Sequence, residues 1–217
     1  HIYANNLENT MQFPFLALII SGGHTDIVYM EDDYKFKVLG GTLDDAIGEA
    51  YDKVARVLGL KYPGGPNVEK MALNGKPSYK LPIPMNDESL NMSFSGLKSS
   101  IINLVHNEQQ RNRKINREDL ACSFQTVATD QLVRKLELAI KQTNIKNIII
   151  AGGVSANQYI RSEITKLASK YNANISVPKL LYCTDNAAMI GAAAYPLYLQ
   201  KKFADLDLNA NPSEELY

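Results

Sequence analysis

Cysteine, histidine and tryptophan are scarce in this chain of 217 residues, which has two cysteines, three histidines and no tryptophan. Two cysteines, Cys122 and Cys183, are too few for a disulfide framework and indicate reduced thiols in a cytoplasmic protein. The sequence also lacks a His-Glu-x-x-His motif, a Gly-x-Ser-x-Gly elbow, a Gly-x-Gly-x-x-Gly turn and a P-loop. These absences argue against zincin proteases, α/β-hydrolases, Rossmann dehydrogenases and Walker ATPases.

Long apolar runs and an excess of charge are missing as well. The longest apolar run covers residues 13–20 with Pro14 inside it, whereas a membrane span needs about 20 apolar residues. The chain opens without the basic and apolar segments of a signal peptide. Lys plus Arg equals Asp plus Glu at 23 each, so no overall positive charge points to nucleic acid. A local cluster, Arg111, Arg113, Lys114 and Arg117, is interpreted as a solvated helix linker.

Strand-like runs come first along the chain. Residues 15–21, 25–30 and 34–39 are apolar or alternating, and the short turns between them predict an antiparallel meander. A helix is predicted from Leu43 to Leu58, with Thr42 and Asp45 as a capping box and Gly59 as its stop. Residues from about 61 to 117 are less regular and are interpreted as a largely helical insertion.

Strands and helices alternate in the rest of the chain. A long helix is predicted from about 117 to 142 with Asn116 as its cap, then a buried strand at 148–151. A helix beginning at the capping box Ser155-Ala156-Asn157-Gln158, a strand near 175–178 and a helix from about Thr184 follow. The predicted fold is α/β, with one mixed five-stranded sheet covered by helices. A polar, frayed tail is expected from Asp205 onward.

Two Gly-Gly turns are the first candidates for a ligand site. Gly22-Gly23 follows the first strand, where backbone N–H groups could approach a ligand, although for this pair alone a plain hairpin turn is the favoured interpretation. Gly152-Gly153 is a stronger signal because it lies between a buried strand and a helix N-terminus, which favours phosphates or polar ligand edges.

Charged side chains give weaker signals. Asp45, Glu49, Asp52 and Arg56 share one helix face, which indicates either a solvated face with an Asp52–Arg56 pair or carboxylates facing a cleft. Asp185 by itself is explained as an acidic residue at a helix N-terminus.

Eight collinear motifs resemble one family, the bacterial TsaD proteins of tRNA threonylcarbamoyladenosine synthesis, formerly called O-sialoglycoprotein endopeptidases or glycoproteases. These motifs are His1-Ile2-Tyr3-Ala4, Ser21-Gly22-Gly23-His24-Thr25, Asp44-Asp45-Ala46, Glu49-Ala50-Tyr51-Asp52-Lys53, Tyr62-Pro63-Gly64-Gly65-Pro66, Ser93-Phe94-Ser95-Gly96-Leu97-Lys98, Ala151-Gly152-Gly153-Val154-Ser155-Ala156-Asn157 and Cys183-Thr184-Asp185-Asn186. The similarity runs from His1 to about Ala194.

The resemblance implies an actin-like, sugar-kinase-like (ASKHA) fold of two lobes. Residues 1–217 would be mostly the second, C-terminal lobe, with the first lobe largely missing. It also implies transfer of threonylcarbamoyl from threonylcarbamoyl-adenylate to the adenosine 3′ of the anticodon in tRNA. One divalent metal ion, iron or zinc, would be held by two histidines and an aspartate, of which His1 and Asp185 match two. Because one ligand is absent, this chain alone is expected to be inactive.

The resemblance also assigns site residues. The segment lining the adenylate and threonylcarbamoyl group is matched by Ile19, Ile20, Ser21, Gly22 and Gly23. Asp52, Gly65 and, less closely, Glu69 match positions that contact the sugar of the nucleotide. Asn157 matches a position at its adenine side. No general base is identified. The implied partners are tRNA and TsaB-like and TsaE-like proteins. The chain could form a homodimer or a heterodimer, and no binding to a membrane is expected. A scaffolding paralogue and a metalloprotease stay open as alternative functions.

Overall fold

A computed structural model describes residues 1–209 of the chain. Within these residues, five strands form one sheet, in the spatial order β3-β2-β1-β4-β5. The strands are β1 Phe15–Ile20, β2 Thr25–Asp32, β3 Lys35–Gly41, β4 Asn147–Ala151 and β5 Asn174–Ser176. The three N-terminal strands pair antiparallel, whereas β4 pairs parallel with β1 and with β5. The predicted meander and mixed sheet are confirmed.

Apolar side chains cover both faces of this sheet, because alternate residues of a strand point to opposite sides. On one face, Leu16, Leu18 and Ile20 of β1 join the larger core cluster. On the other face, Phe15 and Ile19 belong to a smaller cluster. All six residues of β1 are buried, as expected for a central strand.

The α-helices within residues 1–209 cover the sheet: α1 Ile47–Val57, α2 Gly64–Ala72, α3 Ser95–Gln110, α4 Arg117–Thr143, α5 Gln158–Lys170 and α6 Ala187–Leu199. The Asn116 side chain caps α4 as predicted, since it accepts a hydrogen bond of 3.1 Å from the Asp119 N–H. Helix α1 ends before Gly59, whose φ is +73°. Helix α4 supplies Phe124, Leu132 and other residues to the larger cluster.

The start of α1 differs from its prediction. The helix begins at Ile47 rather than Leu43, and no side chain caps it. Thr42 Oγ1 donates to the Asp45 carbonyl instead of forming a capping box. Asp45 instead forms ion pairs with Lys53 at 3.0 Å and Lys98 at 2.7 Å. The capping-box prediction was wrong because these lysines compete for the carboxylate that it required.

The segment 61–117 packs on the other helices and contributes to the core. Val68 of α2 and Leu97 and Ile101 of α3 are fully buried members of the larger cluster. Met92 bridges to Thr42, so the loop before α3 is held next to the end of β3. The segment contains two helices, α2 and α3, joined by an irregular stretch over residues 73–94, and it buries apolar surface against α1 and α4.

Helix α6 carries an exposed apolar surface. Only Met189 and Pro196 of this helix are buried, whereas Ile190, Tyr195 and Tyr198 are 58–63% exposed. The helix packs against a 3₁₀ helix, Ile2–Leu7, near the N-terminus, and Tyr34 Oη donates to the Ala193 carbonyl. Within residues 1–209, no helix combines the length and apolar character that crossing a bilayer requires. Residues 205–209 are exposed, and the rest of the predicted frayed tail lies outside the described residues.

Candidate functional site

A cleft of about 300 Å³ opens at the end of the sheet where β1 and β4 finish. Its walls come from the Gly22 turn, α1, the start of α2 and the segment after β4. The lining residues are Gly22, Gly48, Tyr51, Asp52, Tyr62, Pro63, Gly65, Pro66, Glu69, Gly153, Val154, Ala156, Asn157 and Thr184. The two Gly-Gly turns, which are distant in sequence, therefore contribute to one cleft.

A close backbone approach shapes one wall of this cleft. A Cβ atom on Gly48 would lie 2.5 Å from the Ser21 carbonyl oxygen and 2.9 Å from Gly22 Cα. The Gly48 N–H donates to the same Ser21 oxygen at 3.2 Å. Glycine is therefore required in the first turn of α1, where the helix N-terminus contacts the turn after β1.

Two carboxylates line the cleft, and each uses one oxygen to hold the backbone. Asp52 Oδ1 accepts a hydrogen bond of 2.7 Å from the Gly64 N–H. Glu69 Oε1 accepts one of 2.6 Å from the Gln158 N–H. Neither second oxygen has a hydrogen-bonding partner within residues 1–209. The predicted Asp52–Arg56 pair does not form, and Asp52 faces the cleft instead.

Asn157 is the N-cap of α5. Its Oδ1 accepts from the Ile160 N–H at 2.9 Å, and its Nδ2 donates to Gln125 Oε1 at 3.1 Å. The capping box predicted at Ser155 was wrong, because Gly153–Ala156 forms a separate 3₁₀ turn before the helix. The Asn157 side chain is 7% exposed. It can therefore present only a small part of its amide to a ligand.

The residues predicted around Gly22-Gly23 are not all brought to the cleft. The side chains of Ile19 and Ile20 are buried on opposite faces of the sheet. Ser21 Oγ accepts hydrogen bonds from the N–H groups of Gly23 at 3.3 Å and His24 at 3.0 Å. Of these predicted residues, only Gly22 lines the cleft, and the Gly23 N–H is bonded within the turn to Ser21 Oγ.

His1 and Asp185, far apart in sequence, lie side by side. His1 Nε2 and Asp185 Oδ1 are 3.3 Å apart, and Thr184 next to Asp185 lines the cleft. Two ligands at about 2.1 Å from one ion would be separated by roughly this distance. The pair therefore fits a shared metal ion as two ligands. Within residues 1–209, no group of three or more His, Cys, Asp or Glu side chains is suited to hold a metal.

Several cleft residues were not among the candidates from sequence. Tyr62 is 85% exposed, and nothing in the sequence marked it beyond its place in the motif Tyr62-Pro63-Gly64-Gly65-Pro66. Tyr51 belongs to a family motif but was not assigned to the site. Its hydroxyl is buried and interacts with the Thr129 side chain, and burial raises its pKa. Thr184 carried no signal from sequence beyond its place in the last motif.

Asp44 connects two of the motifs outside the cleft. Its carboxylate accepts hydrogen bonds from Ser93 Oγ and from the N–H groups of Phe94, at 2.8 Å, and Ser95, at 3.1 Å. Burial alone would raise the pKa of Asp44, but these hydrogen bonds outweigh burial and lower it. The carboxylate therefore caps α3 from a distant point in the sequence.

Replacing Asp44 by alanine is expected to lower the free energy of unfolding by about 1 kcal/mol at pH 7, because α3 loses its cap. The pKa of Asp44 is lower in the folded state than in the unfolded chain, so the ionised carboxylate stabilises the fold at pH values above the ordinary carboxyl pKa. This stabilisation is lost as the pH falls through the folded-state pKa. Urea unfolding at pH 7 and at pH 3 would measure it, with exposed Glu88→Ala as the control. An Asp44→Ala effect that grows in acid would contradict the assignment.

Comparisons with known proteins identify the family. A family model described as "TsaD: tRNA N6-adenosine threonylcarbamoyltransferase" matches residues 1–192. Proteins named tRNA N6-adenosine threonylcarbamoyltransferase from Halalkalibacterium halodurans and Bacillus cereus are 48% and 50% identical over the whole of this chain. The chain spans 63% and 64% of the lengths of these two relatives.

Solved structures support the fold alone. Full-length HypF in a phosphate- and nucleotide-bound form superposes with a TM-score of 0.69 at 12% identity, covering 93% of this chain and 35% of HypF. HypF from T. kodakarensis gives a TM-score of 0.57 at 21% identity, over 73% of this chain and 21% of that one. The predicted actin-like, sugar-kinase-like α/β fold class is confirmed. By the match of its family model and the identity of its relatives, the chain belongs to the TsaD family.

Proposed function

We propose that the protein containing this chain transfers threonylcarbamoyl from threonylcarbamoyl-adenylate to the adenosine 3′ of the anticodon in tRNA. One observation carries the proposal. Gly22, Asp52, Gly65, Glu69 and Asn157, which the family resemblance assigns to the adenylate, all line the same cleft. A scaffolding paralogue has no requirement for this combination of carboxylates and glycine turns.

The cleft suits an adenine nucleotide in one orientation. One carboxylate oxygen of Asp52 and one of Glu69 accept hydrogen bonds from backbone N–H groups, which fixes both side chains in the cleft. The second oxygen of each carboxylate can then accept a hydrogen bond from a ribose hydroxyl. The adenine would lie towards Val154 and Asn157, where the wall is largely apolar. The phosphate and threonylcarbamoyl end would then lie near Gly22 and Thr184.

The transfer needs charge stabilisation and positioning. The C–N bond to the adenosine amine forms as the carbonyl–phosphate C–O bond breaks, so AMP leaves with the bonding electrons and the amine releases one proton to water. His1 and Asp185 would hold a divalent ion, iron or zinc, which supplies Lewis-acid stabilisation of negative charge when bound. The chain's own residues orient the nucleotide, and no residue is assigned as general base. The same proposal includes TsaB-like and TsaE-like partner proteins and a cytoplasmic location. It also includes assembly as a homodimer or a heterodimer.

The test uses the complete gene product, mixed with partner proteins, tRNA and synthetic threonylcarbamoyl-adenylate. Mass spectrometry of nucleosides from the digested tRNA is expected to show threonylcarbamoyladenosine. The 217-residue chain alone is expected to transfer nothing, since it provides two of the three protein ligands. Metal-dependent cleavage of a glycoprotein without any tRNA modification would overturn the proposal in favour of a metalloprotease.

Replacing Asp52 by alanine should raise the KM for the adenylate about tenfold, because a hydroxyl contact and the support of Gly64 are both lost. Steady-state transfer assays measure this change. Glu49→Ala is the matched control, because Glu49 lies on the same helix, pairs with Lys53 and does not line the cleft. An equal KM in the two variants would remove Asp52 from the nucleotide site.

A further inference from the structure

Arg161 of α5 contacts three separate segments of the chain. Its Nε donates to the Ser155 carbonyl, and its Nη2 donates to the Pro178 carbonyl at 2.8 Å and to Cys183 Sγ at 3.0 Å. No carboxylate forms an ion pair with Arg161 in the part of the chain that the structure describes. The guanidinium therefore acts as a link between backbone segments rather than as a surface charge.

Two of these segments carry the two ends of the candidate site. Ser155 belongs to the turn Gly153–Ala156, whose neighbours Val154 and Ala156 line the cleft. Cys183 directly precedes Thr184, which lines the cleft, and Asp185, which lies beside His1. Arg161 thus joins the wall assigned to adenine with the segment assigned to the metal.

Among the described residues, the other hydrogen bonds and ion pairs of the segment with Cys183 do not reach α5. Asp185 pairs with His1, Lys179 pairs with Glu8, and the rest join near neighbours in sequence. The buried Cys183 thiol donates to the Lys179 carbonyl at 3.4 Å, and the Asn186 amide donates to the Thr184 carbonyl at 2.9 Å. Both contacts are local in sequence, so neither fixes residues 183–186 against α5. The planar guanidinium can hold several acceptors in a fixed geometry, which a lysine ammonium cannot reproduce.

We propose that Arg161 is a positioning residue that fixes the Thr184–Asp185 segment relative to the Gly153–Ala156 turn. This link keeps the distance between the nucleotide end and the metal end of the site constant. That the two ends bind a nucleotide and a metal ion rests on the proposed function. The link between the two segments rests on the Arg161 contacts alone.

The experiment compares four variants of the complete gene product: Arg161→Gln, Arg161→Lys, Cys183→Ser and Lys166→Gln. Amide hydrogen exchange reports local opening, and titrations with AMP and with Zn²⁺ report the two ends of the site. Arg161→Gln is expected to speed exchange about tenfold in residues 153–157 and 179–186, and to raise both dissociation constants about tenfold. Exchange in α4 is expected to stay unchanged.

The other variants separate positioning from general destabilisation. Cys183→Ser keeps an acceptor for Arg161, so exchange in residues 179–186 is expected to change less than in Arg161→Gln. Lys166→Gln removes a basic residue on the same helix whose ion pair is with Glu163 only, and it is expected to change nothing. Arg161→Lys should be intermediate, and its exchange pattern decides the question if Arg161→Gln does not fold.

Two results would overturn the proposal: faster exchange spread evenly over the whole chain, or AMP and Zn²⁺ affinities equal to those of the wild type. Failure of the proposed function gives a different result. In that case the wild-type protein would not modify tRNA, yet the local exchange changes in Arg161→Gln would persist.

Discussion

Replacing Asp185 by alanine in the complete gene product is expected to reduce threonylcarbamoyl transfer at least a hundredfold. Asp185 Oδ1 lies 3.3 Å from His1 Nε2, so the variant would leave one of the two proposed ligands in this chain. Loss of outer-shell partners alone costs about 10–100-fold in metal affinity or activity, and a direct ligand should cost at least as much. Single-turnover transfer with metal analysis of the purified variant would measure both losses.

Asp207→Ala is the matched control, since Asp207 is an exposed aspartate in the same C-terminal part of the chain. This variant should transfer at the wild-type rate. The Asp185→Ala protein should also melt at nearly the wild-type temperature without metal, because the Asp185 side chain is 92% exposed. Normal tRNA modification by Asp185→Ala would contradict the metal assignment and favour a scaffolding role.

Replacing Gly152 by alanine should destabilise the fold by roughly 4 kcal/mol and lower the Tm by about 10 °C. Gly152 has a φ of +95°, which L residues with a side chain rarely adopt. Its Cβ would also lie 2.3 Å from the Ile20 carbonyl oxygen, so the ends of β1 and β4 would have to separate. Both effects act at the point where the two Gly-Gly turns meet.

Gly153→Ala is the control at the neighbouring position. A Cβ atom there would meet nothing closer than Thr184 Cγ2 at 4.0 Å, so its stability should change by less than about 1 kcal/mol. Thermal and urea unfolding of both variants would measure the difference. Equal stabilities would mean that the strand ends tolerate separation and that the turn is not constrained by Ile20.

The regular elements could be predicted from sequence because their signals are local. Alternation of apolar residues marks β2, and Asn116 and Gly59 mark the ends of helices. The starts of α1 and α5 could not be predicted in the same way. Asp45 is occupied by Lys98 from a distant segment, and Gly153–Ala156 forms a separate 3₁₀ turn before Asn157 caps α5. A capping pattern gives no information about a long-range competitor or about an intervening turn.

The site was predictable only to the extent that motifs carry it. The family motifs identified Asp52 and Gly65, whereas Tyr51 and Tyr62 became cleft residues only once α1 and α2 were packed together. Arg161 carries no motif signal, because its three acceptors come from segments that only the fold brings together. The two isoleucines, Ile19 and Ile20, show the opposite case, since the motif includes them while their side chains are buried.

The apolar surface of α6 has a practical consequence for handling this chain. Tyr195, Tyr198 and Leu199 present rings and branched carbons to water, and Phe203 beside them is 69% exposed. Contiguous apolar surface of this kind promotes adhesion to other molecules and to solid supports. Because sulfate salts strengthen such adhesion, hydrophobic-interaction columns should retain the chain strongly, and ammonium sulfate should precipitate it early. Purification is therefore best done at low salt and low protein concentration.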